Sequence, residues 1–263
     1  MFIYKIKAET ILEAHVTATG DTVGDVAAEW QAMHGGLTLV VNGDGWPRDG
    51  VNSNSIWYSE GVGKNTKQMD YRPWLNFDKE NKFAFGHKRG GHWGNFNALS
   101  GTRYMVENGE INPKFGETGE LNARTGMGIT AEGELVIVVV DGWDHFAPDQ
   151  GATPPKGITL TRLAEILIEQ GCHTGVDFDG GGSTTLAING EVVNEPNDDG
   201  APSQRAVINH LCLKLSELEG VEPVPDPPDP SPDPPDPPGD PIVEIDRVEG
   251  TYDGEPWVWE RQA

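Results

Sequence analysis

Residues 127–140 read MGITAEGELVIVVV. Met127 to Thr130 can form one strand, Glu132-Gly133 a turn, and residues 134–140 the returning strand. That second strand is apolar at successive positions, so both of its faces must be covered and it belongs at the centre of a sheet. Working outward, a helix that can cover one face follows at residues 159–170, TLTRLAEILIEQ. Leu160, Leu163, Ala164, Leu167 and Ile168 share a face at helical spacing. Thr159 or Thr161 can cap the start and Gly171 can end it. Further strands are expected at 2–6, 37–41, 103–106, 176–178 and 206–215. Residues 185–188 and 191–194 flank Asn189-Gly190 as a hairpin, and Asn108-Gly109 is a second turn signal. Residues 23–33 place Val23, Val26, Ala27 and Trp30 on one side of a short helix. Residues 52–92 are polar, with Trp57, Tyr58, Tyr71 and Trp74 scattered through them, and read as irregular. No internal repeat stands out. The fold class is α+β: a mixed, largely antiparallel sheet with one or two packed helices.

The 263 residues suit one large domain or two small ones, and either can bury a core. The 34 Gly and 20 Pro point to many turns and a stiff unfolded segment. Acids outnumber bases 42 to 19, a formal charge of −23. Attraction to a nucleic acid polymer or an anionic membrane is therefore excluded as the main activity, although a local basic pocket is not. Cys172 and Cys212 are too few for a disulfide framework and read as buried free thiols. No run approaches the ~18 apolar residues of a membrane helix. The opening MFIYKIKAET has neither a long apolar core nor a small-residue cleavage site, so a cytoplasmic protein is expected.

The clearest boundary is compositional. Residues 222–241 hold 11 Pro and 5 Asp. Proline removes backbone donors and the aspartates repel one another, which gives an extended spacer with a reach of roughly 60 Å at ~3.1 Å per residue. The expected division is a catalytic domain at 1–216, a Pro/Asp-rich linker at 217–241, and a short segment at 242–263. That last segment alternates like a strand and is too short for its own core, so it should dock or stay loose. It offers a surface for a second copy or a protein partner.

Chemistry concentrates in VDFDGGGSTT, residues 176–185. A strand delivering Asp177 and Asp179 two residues apart would point both to one face. Gly180, Gly181 and Gly182 let backbone approach a ligand and expose N–H groups, with the hydroxyls of Ser183 and Thr184 alongside. Such a site can hold a phosphate oxygen while a carboxylate moves a proton or attacks. The plain alternative is a tight glycine turn with a solvated Asp. No Lys follows the glycines, so this is not a P-loop. Asn42-Gly43-Asp44-Gly45-Trp46 ends an apolar strand and could equally be a simple turn. Arg124-Thr125-Gly126-Met127-Gly128 offers an Arg able to clamp phosphate, against a surface ion pair. Asp141-Gly142-Trp143 leaves the 134–140 strand, and Arg205 opens the last strand. Residues 61–92 carry seven Lys or Arg against three acids, including the stretch between His87 and His92. They form either a phosphate-drawing wall or a solvated loop. Asp141, Asp177 and Asp179 could also hold a divalent cation.

Together and in this order, these segments resemble the phosphodiester glycosidase family. The resemblance rests on Asn42-Gly43-Asp44, Arg124-Thr125-Gly126-Met127-Gly128, Val140-Asp141-Gly142, Gly157-Ile158-Thr159-Leu160, the block from Asp179 to Thr184, and Arg205. It is close over 121–215, looser over 37–109, and absent beyond. The chain departs from the pattern at Asp177, where the family usually has Asn, at Gly45 before Trp46, and in a longer 143–156 segment carrying His145. The resemblance implies hydrolysis of a sugar-phosphodiester without a required cofactor. Asp179 would be base or nucleophile, and Arg124 and Arg205 a phosphate clamp. Thr125, Ser183, Thr184 and the glycine N–H groups would assist, with Asn42, Asp44 and Asp141 positioning sugar or water. Two rivals remain. One is a cytosolic phosphodiesterase acting on a cyclic or modified nucleotide. The other is a non-catalytic carbohydrate-binding module of a larger, phage-like assembly, which would place the protein on a virion or in a host cytoplasm.

Overall fold

The computed structural model describes residues 1–17, 20–44, 57–65, 72–86, 96–116, 119–142, 157–198, 201–220, 247–252 and 255–260. The expectations for Gly45, Trp46, His87, His92, Trp143, His145 and the Pro/Asp spacer lie outside the described residues.

Residues 135–140 form the strand Leu135–Val140, buried at every position. It lies between Arg124–Thr130 and Phe2–Ile6 in a seven-stranded sheet that also holds Cys172–Asp177, Arg103–Glu107, Glu110–Ile111 and Glu219–Gly220. All of its pairings are antiparallel. Alternation explains the unbroken apolar run. Val136, Val138 and Val140 face helix α2 (Leu160–Glu169) with Leu160, Leu163 and Leu167. Leu135, Ile137 and Val139 face the opposite way. There they meet Leu39, Val41, Leu211 and Leu213 of a second antiparallel sheet, built from Ile11–Thr17, Leu37–Asn42, Leu186–Ile188, Glu191–Val192 and His210–Leu215. The far face of this second sheet, through Val40, Ala187 and Cys212, packs on Val26, Ala27 and Trp30 of helix α1 (Val23–His34). The body is thus a sheet sandwich with a helix on each outer face.

Local signals hold where they were strong. The hydroxyls of Thr22 and Thr159 accept from Asp25 N–H and Arg162 N–H and cap the two helices. Asn108-Gly109 and Asn189-Gly190 are turns with positive φ throughout. Leu163 and Leu167 settle onto Gly126 and Gly175, where an added Cβ would lie 3.0 and 2.9 Å from a leucine methyl carbon. Cys172 and Cys212 are free and buried, and burial pushes both thiols well above their usual range.

Residues 52–92 do not behave as expected. Trp57–Ser59, Val62–Asn65, Trp74–Phe77 and Phe83–Gly86 join Asn97–Ser100 in a third, five-stranded antiparallel sheet. Its strands of three or four residues show no readable period. Their order comes from distant partners: Leu75, Phe77 and Leu99 are buried in the core of the sandwich. Residues 225–263 form a unit separate from the first, and among its described residues Arg247–Tyr252 pairs with Glu255–Glu260 as an antiparallel hairpin. No helix among the described residues is long and apolar enough to cross a membrane.

Candidate active site

The strand Cys172–Asp177 takes in only the first two residues of the expected motif, and the segment beyond it is held by its backbone. Thr102 N–H donates to Asp177 O, Phe178 N–H to Thr125 O, Asp179 N–H to Gly43 O, and Gly181 N–H to Ala123 O. Three strand ends therefore grip the segment around Asp179. Gly181 has φ +59 and opens a 3₁₀ turn, Gly181–Ser183. A Cβ on Gly182 would strike Asp198 and Arg205, so glycine there lets that ion pair lie against the block.

Asn42 is the keystone of this arrangement. Fully buried, it donates from Nδ2 to Asp179 O (2.8 Å). Its Oδ1 accepts from Thr125 Oγ1 (2.8 Å) and Thr185 N–H (3.2 Å). The sequence reading placed Asn42 and Thr125 on substrate; in the structure their side chains bond each other, and Asn42 also holds the Asp179 carbonyl. Next in the chain, Asp44 is buried and receives Arg72 Nη1 on both oxygens at 2.9 and 2.8 Å. Its N–H donates to Asn209 Oδ1.

The two motif aspartates part company, contrary to the shared face expected of them. Asp177 is buried and accepts from Arg103 N–H (2.6 Å) and Arg103 Nη1 (3.0 Å). Burial pushes it up to about 6, with Arg103 holding it back. Asp179 lies beyond the strand end, half-buried. Burial also pushes its carboxyl up to about 6; Ser183 and the cations Arg205 and Arg72 oppose the rise, while Asp44 adds to it. Ser183 Oγ is outside ideal hydrogen-bonding geometry yet close enough to favour the Asp179 carboxylate. The hydroxyls of Thr184 and Thr185 are buried and unpartnered among the described residues.

The expected cation positions need adjustment. Arg124 is buried behind the block, its Nε donating to Ile158 O and Nη2 to Glu120 O. Its guanidinium is thus partly engaged by main chain. Arg205 does not open the strand expected over 206–215, which starts at His210. Val207 N–H bonds Asp21 O and its side chain packs under α1, which keeps the preceding residues out of the sheet. Arg205 pairs through Nε and Nη2 with Asp198 Oδ1 at 2.8 and 2.5 Å. The glycine N–H nest is narrower than expected, since the N–H groups of Gly181, Ser183 and Thr184 donate to Ala123 O, Gly180 O and Gly181 O. Asp141 Oδ1 accepts from Asn194 Nδ2 (2.9 Å) and Glu195 N–H (2.8 Å). Asp141, Asp177 and Asp179 do not form a cation site. Arg103 takes Asp177 and Asn194 takes Asp141, and no metal-holding cluster of acidic, His or Cys groups occurs among the described residues.

Sequence reasoning missed Arg72, Arg103, Asn194, Asp198 and Asn209. Only Arg72 carried a signal, as part of the basic stretch over residues 61–92.

The fold and site define a sheet sandwich that carries a carboxylate, arginines and a glycine block at one end of its strands. Its lineage is plain from sequence, because the profile of the phosphodiester glycosidase family matches residues 35–214 and the chain belongs to that family. Over 116 residues it is 33% identical to the Bos taurus N-acetylglucosamine-1-phosphodiester alpha-N-acetylglucosaminidase and 31% identical to the Homo sapiens protein of that name. Those matches cover 38% of this chain and about a fifth of each relative, 20% and 21%. A Bacillus subtilis SPbeta prophage-derived uncharacterized protein, YomE, is 25% identical over 164 residues, 62% of this chain and 22% of that one. In fold, the chain is similar to the catalytic domain of the zebrafish N-acetylglucosamine-1-phosphodiester alpha-N-acetylglucosaminidase. The TM-score is 0.64 with 19% identity, over 80% of this chain and 75% of that one. A hypothetical protein from Synechocystis shares the fold with a TM-score of 0.54 and 10% identity, over 80% of this chain and 56% of that one.

Proposed function

We propose that the protein is a hydrolase that cleaves the bond between an anomeric carbon and the oxygen of a phosphodiester. The observation that carries this reading is Asp179: a half-buried carboxylate raised to about 6, steadied by Ser183 and set among Asp44, Arg72 and Arg205. Water attacks the anomeric carbon and the C–O bond breaks. The phosphate monoester leaves with the electron pair, and Asp179 takes the proton from water as general base. The same carboxylate could attack first and be released by water in a second step. A phosphate monoester leaves readily, so the protein's main work is binding phosphate and stabilising positive charge on the sugar. Arg205, with Arg124 behind the block, supplies the cationic side. The named activities of the relatives support this reaction class.

The test is hydrolysis of sugar-1-phosphodiesters in ¹⁸O-water, followed by mass spectrometry. The label is expected in the released sugar. Label in the phosphate would mean P–O cleavage and would overturn the reading, as would no product from any such substrate. As a base, Asp179 must be ionised, so kcat/KM is expected to rise with pH and level off above about 6. We further propose that the whole reaction belongs to residues 1–216. Removing residues 222–263 is expected to leave turnover and Tm nearly unchanged, and a large loss of either would defeat that assignment.

A further inference from the structure

Both ends of the Asp179 backbone are held by one dipeptide. Asn42 Nδ2 donates to Asp179 O (2.8 Å), and Asp179 N–H donates to Gly43 O (3.2 Å). That dipeptide and the residue after it hang in turn on Asn209. Fully buried, Asn209 directly precedes the strand His210–Leu215, in which His210 stands opposite Asn42. Its carbonyl accepts from Gly43 N–H (3.0 Å) and its Oδ1 from Asp44 N–H (2.8 Å). One residue thus takes two consecutive N–H groups and fixes the path of the chain from Asn42 to Asp44. Gly43 is matched to it. A Cβ there would strike Asn209 Oδ1 and lie 2.8 Å from a Leu99 methyl carbon, so a side chain at 43 would push the amide off Asp44 N–H.

We propose that Asn209 is a positioning residue of the reaction: acting through Gly43 and Asp44 rather than on substrate, it sets where the Asp179 carboxylate stands. The inference rests on the reading of Asp179 as the reacting carboxylate. Two routes lead from Asn209 to it. One is main chain, through the Gly43 carbonyl to Asp179 N–H. The other is charge. Asp44, held at its N–H by Asn209 and at its carboxylate by Arg72 Nη1 (2.9 and 2.8 Å), bears on Asp179 together with Ser183, Arg205 and Arg72. Within that set Asp44 raises Asp179 and the other three hold it down, and Asp44 outweighs either arginine. An amide Oδ1 suits this task because it supplies an acceptor without adding a charge to the group. Truncating Asn209 strips Asp44 N–H of its acceptor and opens space beside Gly43. Asp44 and the Gly43 carbonyl then lose their fixed place, and Asp179 loses both the anion that raises it and the anchor on its N–H.

The experiment uses the full chain and the methyl phosphodiester of N-acetyl-α-glucosamine 1-phosphate. Asn209→Ala should lower kcat by about tenfold or more with KM nearly unchanged. The midpoint of the kcat/KM rise should move down from about 6, because the raising effect of Asp44 is weakened. Asn209→Asp keeps the Oδ1 acceptor, burial favours its neutral form, and most of the lost kcat should return. Gly43→Ala displaces the same amide, so it should reproduce the kcat loss and the lower midpoint, and combining it with Asn209→Ala should add little. Wild-type kcat in Asn209→Ala overturns the proposal. So does a lowered kcat with an unmoved midpoint, which marks a merely structural loss, and so do two losses that multiply. Should Asn209→Ala not fold, Gly43→Ala carries the same readouts. If wild type leaves the probe intact, the reading of Asp179 fails separately. The Asp179 carboxyl is then titrated by ¹³C NMR, its signal assigned with Asp179→Asn. A midpoint lower in Asn209→Ala than in wild type supports the positioning role, and equal midpoints overturn it.

Discussion

Asp177 and Asp179 stand two residues apart, and burial pushes both up to about 6, yet they serve different parts of the molecule. Asp177 ends a central strand, is buried, and has both oxygens engaged by Arg103. Asp179 lies in the irregular segment, is half-buried, and has its backbone gripped by Gly43 and Asn42 while its carboxylate sits near Ser183, Asp44, Arg205 and Arg72. A raised pKa alone does not separate a reacting group from a structural one; the partners do. A carboxylate fixed through its main chain keeps its side chain for chemistry. One fixed through its side chain does not.

The sharpest way to break this contrast is to neutralise each acid in turn. Asp179→Asn is expected to lower turnover by about 100-fold or more with the fold unchanged. Single-turnover assays and circular dichroism would check it, and near-normal turnover would move the role elsewhere. The Asp177 side should respond in stability instead. Arg103→Met removes the countercharge from a buried carboxylate. The typical cost is about 3–5 kcal/mol. With the Arg103 side chain 35% exposed, the water-screened end applies, so about 2–3 kcal/mol is expected, with turnover close to wild type. Urea titration alongside the assay tests both halves; a selective loss of turnover would erase the distinction.

That distinction was only half legible in the sequence. The largely antiparallel α+β class was readable because one strand is apolar on both faces and the second helix carries a cap and a clean stripe; that two sheets stack on each other was not. Asp179 stood out in the sequence because three glycines after an acid are uncommon. The division of labour was not legible, because it depends on Arg103 and Asn209, which arrive from other strands and loops with no local pattern, and on Arg72, which showed only as one member of a basic stretch. Asn42 shows the same limit. Its motif marked it as important, but only the pairing of Leu37–Asn42 with Leu186–Ile188 and His210–Leu215 turns its amide inward onto Thr125 and Asp179. The third sheet was illegible for a simpler reason, since strands of three or four residues are ordered by the core they join.

The smallest expected effect sharpens the contrast through pH. In the folded protein Asp179 sits at about 6, above the ordinary 3.8. Between those values the folded state holds a proton that the unfolded chain releases, so stability falls as pH rises from about 4 to 6 and is level beyond. Asn cannot ionise and escapes this loss. Asp179→Asn should therefore be more stable than wild type at pH 7.5 by about 1–2 kcal/mol, below the roughly 3 kcal/mol that two pKa units would allow, because the group is partly hydrated. At pH 4 the gain should vanish. Asp177→Asn starts from the same raised pKa and has the same proton linkage, but it turns an amide NH₂ toward the Arg103 guanidinium, donor against donor. Leaving those buried donors unmatched outweighs the relief, so this variant should lose stability at both pH values. Denaturant midpoints of the two variants at pH 4 and 7.5 would check the pair. A stabilised Asp177→Asn at pH 7.5 would show that Arg103 is not what fixes Asp177, and the two acids would then differ only in exposure.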